Sequence, residues 1–264
     1  MNESMRVIPV ASTISDNFMY LVVEDDHCLL IDPVDAEVAV EAARATGATK
    51  FQVFTTHGHP DHAGGNAAVK ETLGCEVLGS VVETGFDWKY DRLLEDEERI
   101  PIGSSHGIVV HLPGHTHGHV ALLAGMEHII SGDVIFVGGA GNCRFGGDPS
   151  ELYETFRDQL PKGADDAMFY PGHDYSKRNW EFCLSVEPQN EEAARLLAEH
   201  ASHTREDGPI LHTLGQERSY NPFFRVEDET FQAYLFERYP DLEADVQNPG
   251  ERAFRLLRSL RDQF

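Results

Sequence analysis

The chain has 264 residues, of which 41% are hydrophobic and 25% are charged, a composition typical of a folded globular protein and not of a disordered one. Asp and Glu outnumber Lys and Arg by 45 to 21, which gives a formal net charge of −24. A surface of that sign repels nucleic acid and anionic membranes, so we expect neither as a partner, and an anionic substrate would need a local cationic patch.

The four cysteines, Cys28, Cys75, Cys143 and Cys183, are far apart and form no Cys-x-x-Cys pair. We therefore expect reduced thiols, as in a cytosolic protein, and no disulfide framework. Residues 1–6 lack the apolar stretch of a signal peptide, and no apolar run reaches membrane-spanning length. These features predict a cytoplasmic protein, and we expect a monomer.

Up to about residue 175, short β-rich runs alternate with segments of helical periodicity. The predicted strands are residues 7–10, 18–23, 28–31, 51–55, 107–112, 120–123, 128–131 and 168–170. The predicted helices are residues 36–45, 63–73 and 149–160. Gly47 and Gly74 follow the first two, as glycine commonly does at a helix end. This alternation predicts an α/β domain.

After about residue 176 the sequence changes in character. Strand-like runs are absent, and helical segments follow one another across connections that contain Pro or Gly. The predicted helices are residues 180–186, 191–201, 228–239 and 251–262. We therefore predict two domains, an α/β domain over residues 1–175 and a smaller helical domain over residues 176–264.

Four potential metal ligands lie within six positions of the segment Thr-His-Gly-His-Pro-Asp-His at residues 56–62, between a predicted strand and a predicted helix. His57 and His59 are two apart, so in extended backbone their side chains point the same way. Asp61 and His62 follow at the helix start, where the chain turns and can aim at a second point. The spacing suits two adjacent metal ions better than one. The alternative is a set of unrelated surface histidines.

Three further candidate ligands each follow a glycine where a predicted strand gives way to a loop. They are His115, Asp133 and His173. Glycine permits a tight turn and a close backbone approach, and polar residues at strand ends are how α/β folds build sites. A lone His or Asp at such a position is more often structural, but three of them beside the first motif favour one shared site.

The series Thr-His-x-His-x-Asp-His, Gly-His, Gly-Asp and Gly-His resembles the metallo-β-lactamase superfamily. Within it, the chain is similar to the hydroxyacylglutathione hydrolase (glyoxalase II) family over nearly its full length. The matching segments are residues 16–22, 31–34, 113–116, 132–133, 170–175, 186–188, 220–225 and 261–264. The resemblance implies a metallo-β-lactamase αββα sandwich followed by a small, substrate-binding helical domain at the C-terminus.

The resemblance also implies a two-metal ligand set. The first ion would be held by His57, His59 and His115. The second would be held by Asp61, His62 and His173, with Asp133 bridging both. Imidazole and carboxylate ligands suit zinc, iron or manganese, and we expect two divalent ions, zinc first among them. Two adjacent cations lower the pKa of a shared water, and the resulting hydroxide would attack a thioester carbonyl, with Asp61 and Asp133 as the catalytic carboxylates.

By the same resemblance, the substrate is an S-(2-hydroxyacyl)glutathione such as S-D-lactoylglutathione, cleaved to a 2-hydroxy acid and the free thiol. Its expected contacts are Arg144, Tyr175, Arg258 and Arg261. Arg144 and Arg261 stand where the family usually has Lys, and Arg can hold a carboxylate in a bidentate manner. Gly146 stands where a Tyr commonly contacts the thiol cofactor, so a different low-molecular-weight thiol is an alternative.

Three other functions are open alternatives from the sequence. A persulfide dioxygenase-like enzyme would use one iron on His57, His115 and Asp133, and would lack the helical domain. A β-lactamase would be expected to carry Cys in place of Asp133. A non-catalytic binding module that keeps the fold would be expected to lose ligands.

Overall fold

The computed structural model describes residues 5–160 and 165–264 and contains two main β-sheets. The first sheet has, in spatial order, β1 (Arg6–Ala11), β2 (Phe18–Glu24), β3 (His27–Ile31), β4 (Lys50–Phe54), β5 (Glu76–Ser80) and β6 (Arg92–Leu94). The second sheet has, in spatial order, β13 (Met168–Pro171), β10 (His128–Gly132), β9 (Val120–Ala124), β8 (Ser105–His111) and β7 (Arg99–Ile102). A separate short pair consists of β11 (Ile135–Phe136) and β12 (Gly139–Ala140).

Helices flank the sheets in the first part of the chain and follow one another in the last part. The first group is α1 (Ala36–Ala45), α2 (Pro60–Ala63), α3 (Asn66–Leu73) and α4 (Pro149–Glu154). The second group is α5 (Ser176–Val186), α6 (Glu191–Glu199), α7 (Leu214–Tyr220), α8 (Glu229–Arg238) and α9 (Pro249–Arg261). Among the described residues, none of these helices combines the length and the apolar composition that a membrane span requires.

The two sheets pack face to face, and β2 shows why. All seven of its residues are buried, and alternate side chains enter two different cores. Phe18 and Tyr20 contribute to a core that includes Val109 and Leu122 of the second sheet. Met19 contributes to a core on the opposite face, against α1 and α3. The first sheet is therefore covered by the second sheet on one face and by helices on the other.

A third core joins the second sheet to the C-terminal helices. It contains Ile129 of β10, Phe169 of β13, Trp180 of α5 and Phe254 of α9, all at most 1% exposed. The layers are thus helix, sheet, sheet and helix, with further helices after them, which confirms the predicted αββα sandwich and its helical extension. The last strand of the second sheet ends at Pro171, and α5 begins at Ser176.

Local signals account for the predicted elements that match and for those that differ. The bounds of α1 coincide with the prediction because the Asp35 side chain caps its first turn and Gly47, at φ 81°, follows its end. The helix predicted over residues 63–73 is confirmed only over α3, because Gly64 and Gly65 separate α3 from α2. At Gly65 a β-carbon would lie 1.9 Å from the Pro33 carbonyl oxygen, so the close approach requires glycine.

The predicted helix over residues 149–160 is also wrong in part. It is α-helical only over α4 and continues as a π-helical segment, Thr155–Gln159. The prediction missed β5, β6 and β7, the short pair of β11 and β12, and α7. Most of these missed elements are two to five residues long, too short for periodicity to reveal.

Candidate metal centre

The strand ends that carry the candidate ligands are grouped by strand direction. In the first sheet, β3 and β4 are parallel, so the residues after them share an edge. In the second sheet, β8 and β10 are both antiparallel to β9, and β13 is parallel to β10, so these three strands also end on one side. The candidate ligands that follow these strands or lie in α2 are His57, His59, Asp61, His62, His115, Asp133 and His173.

The first ligand cluster brings together the two histidines of the loop after β4 and the histidine after β8. His57 Nε2 lies 3.0 Å from His59 Nδ1, and His115 Nε2 lies 3.0 Å from the same atom. Nitrogen ligands about 2.1 Å from one zinc ion in a tetrahedral arrangement are about 3.4 Å apart. The three nitrogens are therefore close to the spacing that one shared cation requires.

The second cluster combines α2 with the loop after β13. Asp61 Oδ2 lies 3.4 Å from His173 Nε2 and 3.9 Å from His62 Nε2. His62 and His173 are buried, whereas the Asp61 side chain is 45% exposed and faces the cavity. A second cation could thus be held by the two buried imidazoles of His62 and His173, while the Asp61 carboxylate stays open to substrate and water in the cavity.

Asp133 lies between the two clusters. Its Oδ2 is 3.7 Å from His115 Nε2 and 3.5 Å from His173 Nε2, and its Oδ1 is 3.4 Å from His62 Nε2. Oδ1 is buried and accepts no hydrogen bond from the described residues. An unpaired buried carboxylate oxygen is costly, and a cation satisfies it. The donor chemistry and this oxygen fit divalent metal ions at both clusters.

The histidine ring nitrogens that face away from the centre form hydrogen bonds with the protein. Asp32 Oδ2 accepts from His62 Nδ1 at 2.9 Å and from the Thr56 hydroxyl at 2.6 Å. Because that hydroxyl proton is used, His57 Nδ1 must donate to Thr56 Oγ1, 2.9 Å away. The arrangement fixes a proton on Nδ1 of both histidines and turns each Nε2 toward the centre, where His62 Nε2 lies 3.2 Å from Asn17 Nδ2.

The other three histidines are held in the same way by different acceptors. Their acceptors are Asn142 O at 2.7 Å from His115 Nδ1, Phe145 O at 2.8 Å from His59 Nε2, and Asp16 Oδ1 at 3.0 Å from His173 Nδ1. His59 is the exception among the five, because its Nδ1 faces the centre and its Nε2 carries the proton. These acceptors are not among the site residues predicted from the sequence.

Of the missed residues, Asp32 left a signal in the sequence. Asp32 directly follows β3, at the sheet edge that also carries the loop after β4, so the strand-end argument applies to it as well. Its φ of 47° lies in the left-handed region, where a non-glycine residue is strained, and such strain accumulates at functional sites. Asp16 lies in the segment that resembles the family, but nothing in its local sequence points to His173.

The ionisation of the cluster suits cation binding. Burial raises the pKa of Asp61, but the hydrogen bond with His173 and the charge of His62 outweigh it and lower the pKa to about 2. Burial lowers the pKa of His115 to about 4, against the opposing charge of Asp133. Burial lowers the pKa of His173, but the charge of Asp133 and the hydrogen bonds with Asp16 and Asp61 together outweigh it and raise the pKa to about 9. Asp61 and His115 thus have the forms that bind a cation, whereas a cation must displace a proton from His173.

The ligands open into two adjoining cavities. The first, about 440 Å³, is lined by ligands including His59, Asp61 and His173. The second, about 420 Å³, is lined by four arginines: Arg144, Arg178, Arg258 and Arg261. The two cavities share the side chains of Phe136, Asn142, Phe145 and Tyr175. In a chain of net charge −24, this concentration of cations beside the ligand cluster is a local reversal of charge.

The residues predicted to bind substrate all line this arginine-lined cavity, but they differ in what they contact. The Tyr175 ring stacks on His173, with centroids 5.0 Å apart and planes 8° apart. The Arg144 side chain is 54% exposed and its Nε lies 3.2 Å from Asp262 Oδ2. Arg261 donates to Asn179 Oδ1 at 3.1 and 3.0 Å.

Arg258 is the most buried of the four arginines, and its guanidinium is largely engaged by the protein. Nη1 donates to Ala140 O at 2.7 Å and to Gly141 O at 3.0 Å, and Nη2 lies 2.9 Å from Asp262 Oδ1. Arg178, which is not among the residues predicted from the sequence, forms neither a hydrogen bond nor an ion pair with any described residue. It lies three positions after Tyr175 at the start of α5, a spacing that places both on one helix face.

Two family models together match most of the chain. Residues 13–173 match the model described as "Metallo-beta-lactamase superfamily", and residues 174–264 match the one described as "Hydroxyacylglutathione hydrolase C-terminus". A protein named hydroxyacylglutathione hydrolase from a Polaromonas species is 37% identical over 254 residues, covering 94% of this chain and 95% of the relative. One with the same name from Anaeromyxobacter dehalogenans is 36% identical over 249 residues, covering 94% and 96%.

Solved structures share the fold. The structure titled ETHE1 from Myxococcus xanthus has a TM-score of 0.66 and 23% identity, covering 95% of this chain and 100% of that one. A protein named TTHA1623, solved in a di-iron-bound form, has a TM-score of 0.60 and 25% identity, covering 82% and 99%. These likenesses and the family models confirm the predicted superfold.

Proposed function

The chain belongs to the hydroxyacylglutathione hydrolase family of the metallo-β-lactamase superfamily, and on that premise we propose that it hydrolyses S-(2-hydroxyacyl)glutathione thioesters. S-D-lactoylglutathione is the substrate we propose first, with a 2-hydroxy acid and the free thiol as products. The observation that carries the proposal is the arginine-lined cavity that shares a wall with the ligand cluster. A cation-lined cavity beside hydrolytic ligands fits an acyl group on an anionic carrier.

Membership of the superfamily implies divalent metal ions, and we propose that both clusters hold zinc, although the same donors suit iron and manganese. The proposed ligands of the first ion are His57, His59 and His115. Those of the second are Asp61, His62 and His173, with Asp133 between the two clusters. When bound, the two ions would supply a water of lowered pKa and a Lewis acid for the thioester carbonyl.

Asp61 and Asp133 are the carboxylates that we propose as catalytic. Asp61 is ionised, half-exposed and open to the cavity, so it would accept a hydrogen bond from the attacking water and orient it toward the thioester carbon. Asp133 would hold the two clusters at a fixed separation. The departing thiol needs no strong acid, because the pKa of a thiol, about 8.5, makes the thiolate a good leaving group.

The anionic carrier would lie in the arginine-lined cavity. We propose Arg144, Arg178 and Arg261 as contacts for its carboxylates, since each presents a guanidinium to the cavity. Tyr175, shared by both cavities, would contact the carrier near the thioester. Gly146, at φ 95°, offers no side chain to the carrier, which is why another low-molecular-weight thiol is the alternative to glutathione.

The single-iron alternative has no observation in its favour. Asp61, His62 and His173 form a complete second ligand group, which a mononuclear centre would not need. Residues 174–264 match the hydrolase C-terminal model over their full length. We also propose that the enzyme acts in the cytoplasm, where its four free thiols would stay reduced, and that it acts as a monomer.

Hydrolysis of S-D-lactoylglutathione by the zinc-loaded enzyme, followed as loss of thioester absorbance, tests the proposal. A matched substrate is the lactoyl thioester of N-acetylcysteamine, which keeps the reacting bond and lacks the carboxylates. We expect chelator-sensitive turnover of both, with a much higher KM for the uncharged carrier. No turnover of either by protein that retains zinc would reject the thioesterase. Equal KM values would reject the anionic carrier alone.

A further inference from the structure

Residues 140–145, which we call the backing loop, lie between α9 and the ligand histidines. Their backbone carbonyls are divided between the two sides. The carbonyls of Ala140 and Gly141 accept from Arg258 Nη1 at 2.7 and 3.0 Å. Those of Asn142 and Phe145 accept from His115 Nδ1 at 2.7 Å and from His59 Nε2 at 2.8 Å. One short segment therefore connects the C-terminal helix to two proposed ligands of the first ion.

The end of α9 binds the backing loop at a second point. Asp262, just after α9, pairs with Arg258 through Oδ1 at 2.9 Å. Its Oδ2 lies 3.2 Å from Nε of Arg144, a backing-loop residue, and its backbone oxygen accepts from the same side chain. Arg258 and Asp262 thus fix the backing loop through two carbonyls and one ion pair.

The backing loop also packs tightly against Asp133. The Gly141 N–H donates to Val134 O at 2.9 Å, and a β-carbon on Gly141 would come within 2.0 Å of the Asp133 carbonyl oxygen. A movement of the backing loop would therefore displace three neighbours at once, namely His59, His115 and the backbone of Asp133. Well-packed interiors transmit such displacements because they contain few voids.

We infer that Arg258 and Asp262 are positioning residues that hold the metal centre through the backing loop. A histidine presents one nitrogen to a cation only when the proton is kept on the other, and the acceptor of that proton sets the tautomer. His115 and His59 need opposite tautomers, and both acceptors are carbonyls of this one loop. The inference depends on the proposed metal centre and not on the identity of the substrate.

Zinc binding to Arg258→Gln, measured by competition with a chromophoric chelator, tests the inference. Loss of acceptors that orient metal ligands commonly costs about 10- to 100-fold in metal affinity, and we expect at least about 10-fold for this variant. Arg258→Lys, which keeps a donor for the two carbonyls, should lose less. The matched control is Arg255→Gln on the same helix, whose side chain pairs with Glu243 and does not contact the backing loop. We expect wild-type affinity for it.

A second readout reports the tautomers directly. The imidazole N–H signals of His115 and His59 in a ¹⁵N spectrum should lose their protection from solvent exchange in Arg258→Gln, while that of His62, bound to Asp32, keeps it. If Arg258→Gln does not fold, Asp262→Asn is the second variant, because it removes both ion pairs and leaves the two carbonyl contacts. Zinc affinity and the protection of the two imidazole N–H signals should both fall, by less than is expected for Arg258→Gln.

Wild-type zinc affinity together with wild-type His115 and His59 signals, in a folded Arg258→Gln or Asp262→Asn protein, would overturn the inference. A rise in KM for the thioester with unchanged zinc affinity would also overturn it, and would make Arg258 a substrate contact instead. Failure of the wild-type protein to bind zinc at all would reject the proposed metal centre on which the inference depends. That result differs from a failure specific to the variant.

Discussion

The ligand cluster and the arginine-lined cavity share a wall but differ in construction. Histidine ligands such as His57, His62 and His115 are each 1% exposed and lie at strand ends or in the short helix beside them. Each keeps its tautomer through an acceptor behind it. Arg144 and Arg178, by contrast, reach the cavity on long, exposed side chains. Ordering such a side chain on binding costs up to about 2 kcal/mol in lost rotamer entropy.

This difference indicates how each region tolerates change. A cation requires particular donor atoms at particular distances, so one altered ligand removes a function that no neighbour can supply. A carboxylate of a flexible carrier can be held by any guanidinium or ammonium that reaches it. We therefore expect mutations in the ligand cluster to act on kcat and metal binding, and mutations of Arg144, Arg178 or Arg261 in the arginine-lined cavity to act mainly on KM.

The largest effect is expected for Asp133→Asn. The change keeps the side-chain shape but removes the charge that lies between the two clusters, so kcat should fall by at least about 10³-fold. The measurement is kcat at saturating thioester, with zinc content per chain determined on the same sample. The control is Asp245→Asn, an exposed aspartate outside both cavities. Turnover of Asp133→Asn within about 10-fold of wild type would show that Asp133 is dispensable.

Asp32→Asn should have the next largest effect. An amide whose oxygen accepts from the Thr56 backbone N–H would present its NH₂ group to the Thr56 hydroxyl and to the Nδ1–H of His62, so zinc affinity should fall by about 10- to 100-fold. The comparison variant is Asp16→Asn, which removes the negative charge beside His173 Nδ1 from a side chain that is 67% exposed. We expect a smaller loss there because solvent can replace the carboxylate. A larger loss in Asp16→Asn than in Asp32→Asn would contradict this ranking by burial.

The smallest effect is expected for Arg178→Gln. Its guanidinium is exposed, so one carboxylate contact should contribute about 0.4–1 kcal/mol, which is a rise in KM of about 2- to 5-fold at low salt with kcat unchanged. High salt should reduce the difference by screening. Arg195→Gln removes the same charge from α6, where Arg195 pairs with Glu192 and Glu199, and should leave KM unaltered. Equal changes in the two variants would assign the effect to net charge alone.

The ligands could be predicted from the sequence because they occupy fixed positions beside recognisable strands. Each strand end was visible as an apolar run followed by a glycine or a histidine, and strand direction then grouped the ends. Asp32 meets the same criterion and was missed because its segment carried no second ligand. The break between α2 and α3 was missed because the reason for Gly65, its contact with the Pro33 carbonyl, lies on another part of the chain.

The substrate region was less predictable because helix periodicity does not give side-chain contacts. The spacing of Arg258 and Arg261 on α9 placed both on a helix face. Only the packing of α9 against the backing loop and α5 shows that Arg258 is directed to the Ala140 and Gly141 carbonyls and Arg261 to Asn179. The family match identified these positions without distinguishing what each side chain contacts.

By itself the sequence determined the donor atoms, the change from an α/β region to a helical one, and the family, because each depends on residue type and local spacing. The tertiary structure decided which acceptor faces each histidine, how Asp133 lies between the clusters, and where the four arginines meet. These depend on contacts between residues far apart in the chain, such as Asp16 with His173 and Arg258 with Ala140. Contacts of that kind are set by how the sheets and helices pack, and local sequence carries no record of them.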